Sequence, residues 1–475
     1  MITVHLVTAR MPSGPQTMPS TATTVDQYHA QFERLIGGDL SSQPEDLLQL
    51  RYAAMDRFEQ LGFPTTQQEE WRGTSVDSIA RTDFQLLDDS DLADQPPETF
   101  CLDDELVGSQ VVLVNGRFAP HLTALEELPA GVVIQGLADV LAAEPGLVLP
   151  HLGRVADFDE QAFVALNTAF LMDGIFIHVP ESLHAQRPIH VIHLSAIGEM
   201  PGQSHPRTLV VAAANSRLTV VEHYAGNGTG PAFTNAVTEI VSQKSAGVDY
   251  VRVQREPENT THIATIQTHQ EADSRVALHT FTTSGGLVRN DVNATLRGPG
   301  AEVLMNGLYL VRDHQHVDNH TRIDHVAPHC TSNENYKGIL DGHGRAIFNG
   351  RIVVHPDAQK TNAVQSNRNL MLSDQALVNT NPQLEIYADD VKCAHGSTVG
   401  QIDEETLFYF RTRGIDRDTA QNLLVDGFAR EIIRQIAAES VRISVQNLVS
   451  DWLTDGHIAS GPDRDKLGVS ITDHE

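Results

Sequence analysis

Four short runs decide the fold: NSRL at 215–218, SAGV at 245–248, DSRV at 273–276 and GAEV at 300–303. In each, small or polar residues turn into an apolar strand, which opens at Leu218, Val248, Val276 or Val303. The openings lie 30, 28 and 27 residues apart. A near-constant step of this size marks a solenoid, in which one supersecondary unit stacks on the next. No segment of helical length and period interrupts Leu209 to Leu310. A sheet built from βαβ units is therefore disfavoured, and the solenoid is expected to be a β-helix. A β-sandwich with evenly spaced hairpins is the rival. The scarcity of Asn-Gly hairpin turns favours the coil. An ending coil presents an open edge that templates pairing with another chain. No helical plug directly follows the apolar run at Leu384, so the last coil is expected to meet a partner edge to edge.

Outward from this core, the β pattern extends from about 106 to 390, opened by Val111-Val112-Leu113-Val114 and the turn Asn115-Gly116. Before it lies 88–105, an acidic stretch read as a solvated linker. Residues 24–87 read as a small helical domain. One helix carries Val25, Tyr28, Phe32, Leu35 and Ile36 on a face and ends at Gly37-Gly38. A second carries Leu47, Leu48, Met55, Phe58 and Leu61, with Pro44 suited to its first turn. Trp71 reads as a packing anchor between these helices and the rest. Residues 1–23, with Pro12, Pro15 and Pro19, read as a disordered tail. Residues 391–455 read as a C-terminal helical domain, in which Asp403 and Asp416 are placed to cap helices. Gly414 closes the first of these, and 456–475 reads as a frayed tail. The expected class is thus mostly β: a parallel β-helix flanked by N-terminal and C-terminal α-helical domains.

The totals narrow the function. The 475 residues carry 62 acids against 33 bases, a net charge of −29. So acidic a chain is repelled by phosphate backbones and anionic lipid, which argues against nucleic acid and membrane surfaces as partners. Cys101, Cys330 and Cys393 are few, odd in number and far apart. A disulfide framework is excluded, and a reducing cytoplasm is the expected compartment. The apolar residues near the start follow no basic segment and do not form a secretory signal. No apolar run approaches a bilayer span.

Chemistry could reside in two places. In QLEIYADDVKCAHGSTVGQIDEETLFYFRTRG (383–414), Cys393 and His395 are separated by a single residue, with Gly396 and Gly400 expected to bend the chain. A thiol and an imidazole so spaced can meet one metal or reacting centre. By spacing alone the pair reads as an ordinary buried cysteine and turn histidine sooner than as a metal site, since a closed zinc site needs four ligands. The second place is His314, His316, His320, His325, His329 and Cys330, interleaved with Asp313, Asp318 and Asp324. These are metal-ligating residue types, and His314 and His316 on one strand would share a face. They read equally as polar surface, or as histidines stacked between coils. No phosphate-binding loop, dinucleotide fingerprint or nucleophile elbow is present. No carboxylate pair is singled out for glycoside cleavage. A β-helix carbohydrate-active enzyme and a stand-alone metal-binding protein remain the alternatives at this point.

Across Trp71 to Phe428 the chain resembles the SufB/SufD family of iron–sulfur cluster assembly proteins. The likeness is sharpest in Pro328-His329-Cys330-Thr331-Ser332-Asn333, Tyr336-Lys337-Gly338-Ile339-Leu340, Phe348-Asn349-Gly350-Arg351-Ile352 and Ala358-Gln359-Lys360-Thr361-Asn362-Ala363. It continues through Pro382-Gln383-Leu384-Glu385-Ile386 into the Cys393-Ala394-His395 run. The SufB branch carries a scaffold cysteine in a Cys-Asp-Ser context close to where this chain has Asn369-Leu370-Met371-Leu372-Ser373-Asp374. That departure points to the SufD branch.

The resemblance implies a right-handed β-helix between helical ends and a heterodimer with a SufB-like paralogue through the final strands. It implies that a SufC-like ATPase docks on the C-terminal helices, roughly Asp403 to Ile436. It implies a non-catalytic scaffold with no tightly bound cofactor of its own. A transient iron–sulfur cluster would form at the junction with SufB. His395, and with less force Cys393, would be its metal ligands from this chain.

Overall fold

The computed structural model describes residues 21–38, 40, 43–87 and 107–455. Within it each repeat supplies two strands, one to each of two sheets. One sheet stacks Arg217–Gly228, Gly247–Gln254, Arg275–Thr282, Glu302–Val311, Thr331–Leu340, Asn362–Met371 and Lys392–Gln401 in parallel. The other stacks Ala232–Ser242, Thr260–Gln270, Leu287–Leu296, His316–His325, Arg345–Val354 and Leu377–Ile386, also in parallel. The inward residues of both sheets share one core, which includes Val276 and Leu278 from the first and Val288 and Val292 from the second. This is the β-solenoid that the four runs predict.

The strand openings are in register. Leu218 pairs with Val248, Val248 with Val276 and Val276 with Val303. The same row continues through Ser332 and Ala363 to Cys393. Side-chain direction alternates along a strand, so every second residue joins an inward row. A neighbouring row runs Val220, Tyr250, Leu278, Met305, Glu334, Gln365 and His395. Toward its end this row changes from apolar to polar.

Two bulky rings are admitted because glycine faces them. A Cβ on Gly307 would lie 2.1 Å from Cε1 of Tyr336, and one on Gly338 would lie 2.3 Å from Cε2 of Tyr309. Gly307 is paired with Tyr336 and Tyr309 with Gly338. Each ring thus fills space that its neighbour's missing side chain leaves.

Before the regular coils, Ser109–Val114 pairs in parallel with Ile189–Ile197. Short helices Leu137–Ala143 and Ala162–Ala169 lie inside the span expected to be β. The second is apolar on nearly all sides and is buried from Phe163 to Ala169, which hides it from a search for an amphipathic stripe. The N-terminal helices are Thr21–Gly37 and Glu45–Leu61. The first begins within the span expected to be tail. Pro44 precedes the second as its cap rather than entering it. Tyr28, Phe32 and Phe58 pack with Phe163, Phe170 and Phe233 of the body. Trp71 is an anchor: its ring meets that of Phe163 at 5.4 Å, and Arg289 lies over it at 3.8 Å. The tail expected for 1–20, the acidic linker (88–105), Cys101 and the tail at 456–475 lie outside the described residues.

The coil runs further than 390. The strand Lys392–Gln401 extends it through Gly396 and Gly400, where a bend was expected, so the helical domain starts later. A Cβ on either glycine would meet nothing within 4 Å, because among the described residues no further rung covers that strand. Asp403 then caps Glu404–Thr412, its carboxylate accepting from the Glu405 and Thr406 amides. Asp416 caps Arg417–Ile433 by accepting from the Thr419 amide. Glu439–Asp455 completes the trio. Val425, Ala429, Ile432, Val441, Val445 and Trp452 pack on the outward face of the first sheet, against Val251, Phe281, Leu308 and Ile339. Among the described residues no helix is long and apolar enough to cross a membrane.

Candidate functional site at the open end of the coil

The last rung brings Cys393 and His395 to one place. Both lie on Lys392–Gln401, two residues apart and therefore on one face. Their partners in the preceding rung, Ala363 and Gln365, are inward and buried. Cys393 and His395 thus continue the inward rows, but among the described residues nothing closes over them. Cys393 is half-buried against the core, whereas His395 is exposed. Burial pushes the Cys393 thiol up, opposed only by the backbone contact with Ala363, so a metal or a cationic partner is needed to draw off its proton.

Beneath His395 the interior is polar. The Gln365 amide donates through Nε2 to Glu334 Oε2 at 2.9 Å, and the Thr321 hydroxyl donates to Glu334 Oε1 at 2.5 Å. Burial raises the Glu334 carboxyl to about 7 despite those two donors. Gln365 Oε1 is buried and without a hydrogen-bond partner, as is Oγ1 of Thr380 on the facing sheet. The sequence motifs gave neither Gln365 nor Glu334 a role. Their role emerges only when the rungs are aligned, because they lie 30 and 61 residues before His395. The outer edge of the rung is apolar in part: Val364, Leu377, Ile386, Tyr387 and Val399 are exposed.

The histidine-rich run from His314 to Cys330 does not converge. His314 lies in the turn before His316–His325 rather than on it, and stacks on His343 at 5.3 Å. His316 meets the Thr74 hydroxyl, and Asp318 accepts from that hydroxyl and from Arg289. His320 contacts Asp318 and Glu70. His325 meets the Ser332 hydroxyl in the interior, and the buried Cys330 thiol donates to the Gly298 carbonyl. Among the described residues no three His, Cys, Asp or Glu are grouped to hold a metal ion. Asp318 and His320 instead fasten the segment Glu70 to Thr74 onto the coil.

Comparison with known proteins bears on this geometry. The family described as "SUF system FeS cluster assembly, SufBD core domain" matches residues 195–428, and "SufBD protein N-terminal region" matches 22–191. The SufBD family protein slr0076 of Synechocystis is 33% identical over 412 residues, 85% of this chain and 90% of that protein. The iron–sulfur cluster assembly protein SufD of Escherichia coli is 28% identical over 446 residues, 92% of this chain and 99% of that protein. The chloroplastic protein ABCI7 of Arabidopsis thaliana is 29% identical over 446 residues, 90% of this chain and 91% of that protein.

Proposed function

The chain belongs to the SufBD family of iron–sulfur cluster assembly proteins, and we propose that it is the SufD-like scaffold subunit of a complex with a SufB-like paralogue and a SufC-like ATPase. One observation carries the reading. A thiol and an imidazole stand at inward-row positions of a final rung that no part of the described chain covers. A site of that kind is half a site, and it is completed by whatever pairs with the edge.

In this reading the chain has no reaction of its own. His395 and Cys393 supply nitrogen and sulfur ligands to a cluster that is cargo, shared with the partner's ligands. Imidazole binds iron through a neutral ring nitrogen, and thiolate binds once its proton is displaced by the metal. The ATPase docks on the helices after Asp403. Their packing on the outward face of the first sheet gives a path from nucleotide-driven movement to the seam. The acidic surface and the spaced cysteines fit a reducing cytoplasm without nucleic acid or membrane partners.

The test is co-expression with both partners. The tagged chain should retain a SufB-like and a SufC-like protein through purification. His395→Ala should leave that complex intact while maturation of iron–sulfur enzymes in the same cells falls. Normal maturation with the variant would remove His395 from the ligand set, and failure to retain either protein would remove the scaffold reading.

A further inference from the structure

We infer that Gln365 is a positioning residue for His395, its side-chain carbonyl accepting the N–H of the imidazole nitrogen that faces away from the iron, with Glu334 holding the amide in the required orientation. The inference rests on the proposed ligand role of His395 and extends it to residues inside the coil.

Four observations support it. Glu334, Gln365 and His395 occupy successive rungs of one inward row, and neighbouring strands lie about 4.8 Å apart. Glu334 accepts from Gln365 Nε2 at 2.9 Å, which directs the amide nitrogen down the coil and leaves Oε1 as the free acceptor. That oxygen is buried and unpartnered, an arrangement that is unfavourable unless a donor arrives. Finally, the amide is confined: a Cβ on Gly350 of the facing sheet would come within 2.3 Å of Gln365 Nε2. The glutamine is therefore held between Glu334 and Gly350, with one acceptor to spare and His395 as the next residue along the row.

A metal-bound histidine commonly donates its second N–H to a carbonyl or carboxylate, which fixes the tautomer and ring orientation. His395 is exposed and has no such partner in its own strand. When the rung is covered, turning the ring inward would satisfy Gln365 Oε1 and present the other nitrogen at the seam. Thr321 completes the chain by donating to the far oxygen of Glu334.

The experiment uses the complex purified with its partners, reconstituted anaerobically with ferrous iron and sulfide. It compares wild type, His395→Ala, Gln365→Leu and the exchanged pair Glu334→Gln/Gln365→Glu. The exchanged pair keeps an acceptor at 365 and a donor at 334. Retained cluster is read by absorbance, and ligation by the nitrogen coupling of the reduced cluster in pulsed electron paramagnetic resonance. Gln365→Leu should lower retained cluster about tenfold or more and shift the coupling of the remote imidazole nitrogen. The exchanged pair should recover both readouts to within about threefold. Gln365→Leu matching wild type while His395→Ala is impaired overturns this inference and leaves the ligand role standing. So does equal impairment of Gln365→Leu and the exchanged pair, because that pattern marks a packing role. His395→Ala matching wild type overturns the ligand role itself, and this inference with it.

Discussion

Lys337 is buried on the outward face of its strand and reaches Glu431 of the helix Arg417–Ile433, its ammonium also donating to the Phe428 carbonyl at 2.8 Å. The other oxygen of Glu431 accepts from Arg368, on the strand next to the final rung. One carboxylate thus ties the C-terminal helices to two adjacent rungs.

Removing that carboxylate strands a buried ammonium, whereas removing the lysine takes the charge away with its cost. Glu431→Ala is expected to lower the unfolding free energy by about 1–3 kcal/mol, and Lys337→Met by less. Urea unfolding of the two variants checks this, and the reverse order would show that the pair does not fasten the helix. In the proposed complex, Glu431→Ala is also expected to leave ATP hydrolysis running while cluster delivery falls.

Gly307 and Gly338 test the packing of the interior. Alanine at either position places a methyl group within van der Waals overlap of a tyrosine ring, and both rings are buried. Overpacking of this kind costs about 1–3 kcal/mol. A thermal unfolding midpoint unchanged in Gly307→Ala would mean that Tyr336 can move aside, against the tight stacking described.

The attachment of the N-terminal segment is expected to depend on pH. Burial opposes a charge on His320, but Asp318, and then Glu70, raise it from the ordinary 6.5 to about 9. A raised folded value stabilises fully below about 6.5, and the contribution is lost as pH climbs through about 9. Asp318 is shifted the other way: burial is outweighed by Arg289 and His320. Its contribution holds above the ordinary carboxylate range and fades only in strong acid. Wild type should therefore exceed His320→Gln in stability at pH 6, by up to about 3 kcal/mol, and the gap should close by pH 10. Unfolding titrations at the two pH values measure it, and a gap that is constant with pH would show His320 to be neutral.

The repeat was legible because the turn-to-strand steps at Leu218, Val248, Val276 and Val303 belong to one physical row, and row neighbours must be similar to pack. The final rung was harder to read. Its glycines suggested a bend, because glycine weakens a strand that has side chains to pack. Among the described residues the strand Lys392–Gln401 has no neighbour on one side, so small residues cost it little. The histidines after Arg312 were misleading for another reason. The partners of His316 and His320, Thr74 and Glu70, lie 242 and 250 residues earlier, and no local spacing announces a contact of that range. Glu334 and Gln365 were hidden in the same way, since each is an ordinary polar residue until the rungs are stacked.

The central claim is that the last rung is unfinished until a partner covers it. Amide hydrogen exchange of the purified chain, with and without its purified SufB-like partner, measures this directly. Protection should rise about tenfold or more in Lys392–Gln401 and Leu377–Ile386, with little change in the coils before Thr331. A complex that forms while exchange in those two strands stays as it was would contradict the account.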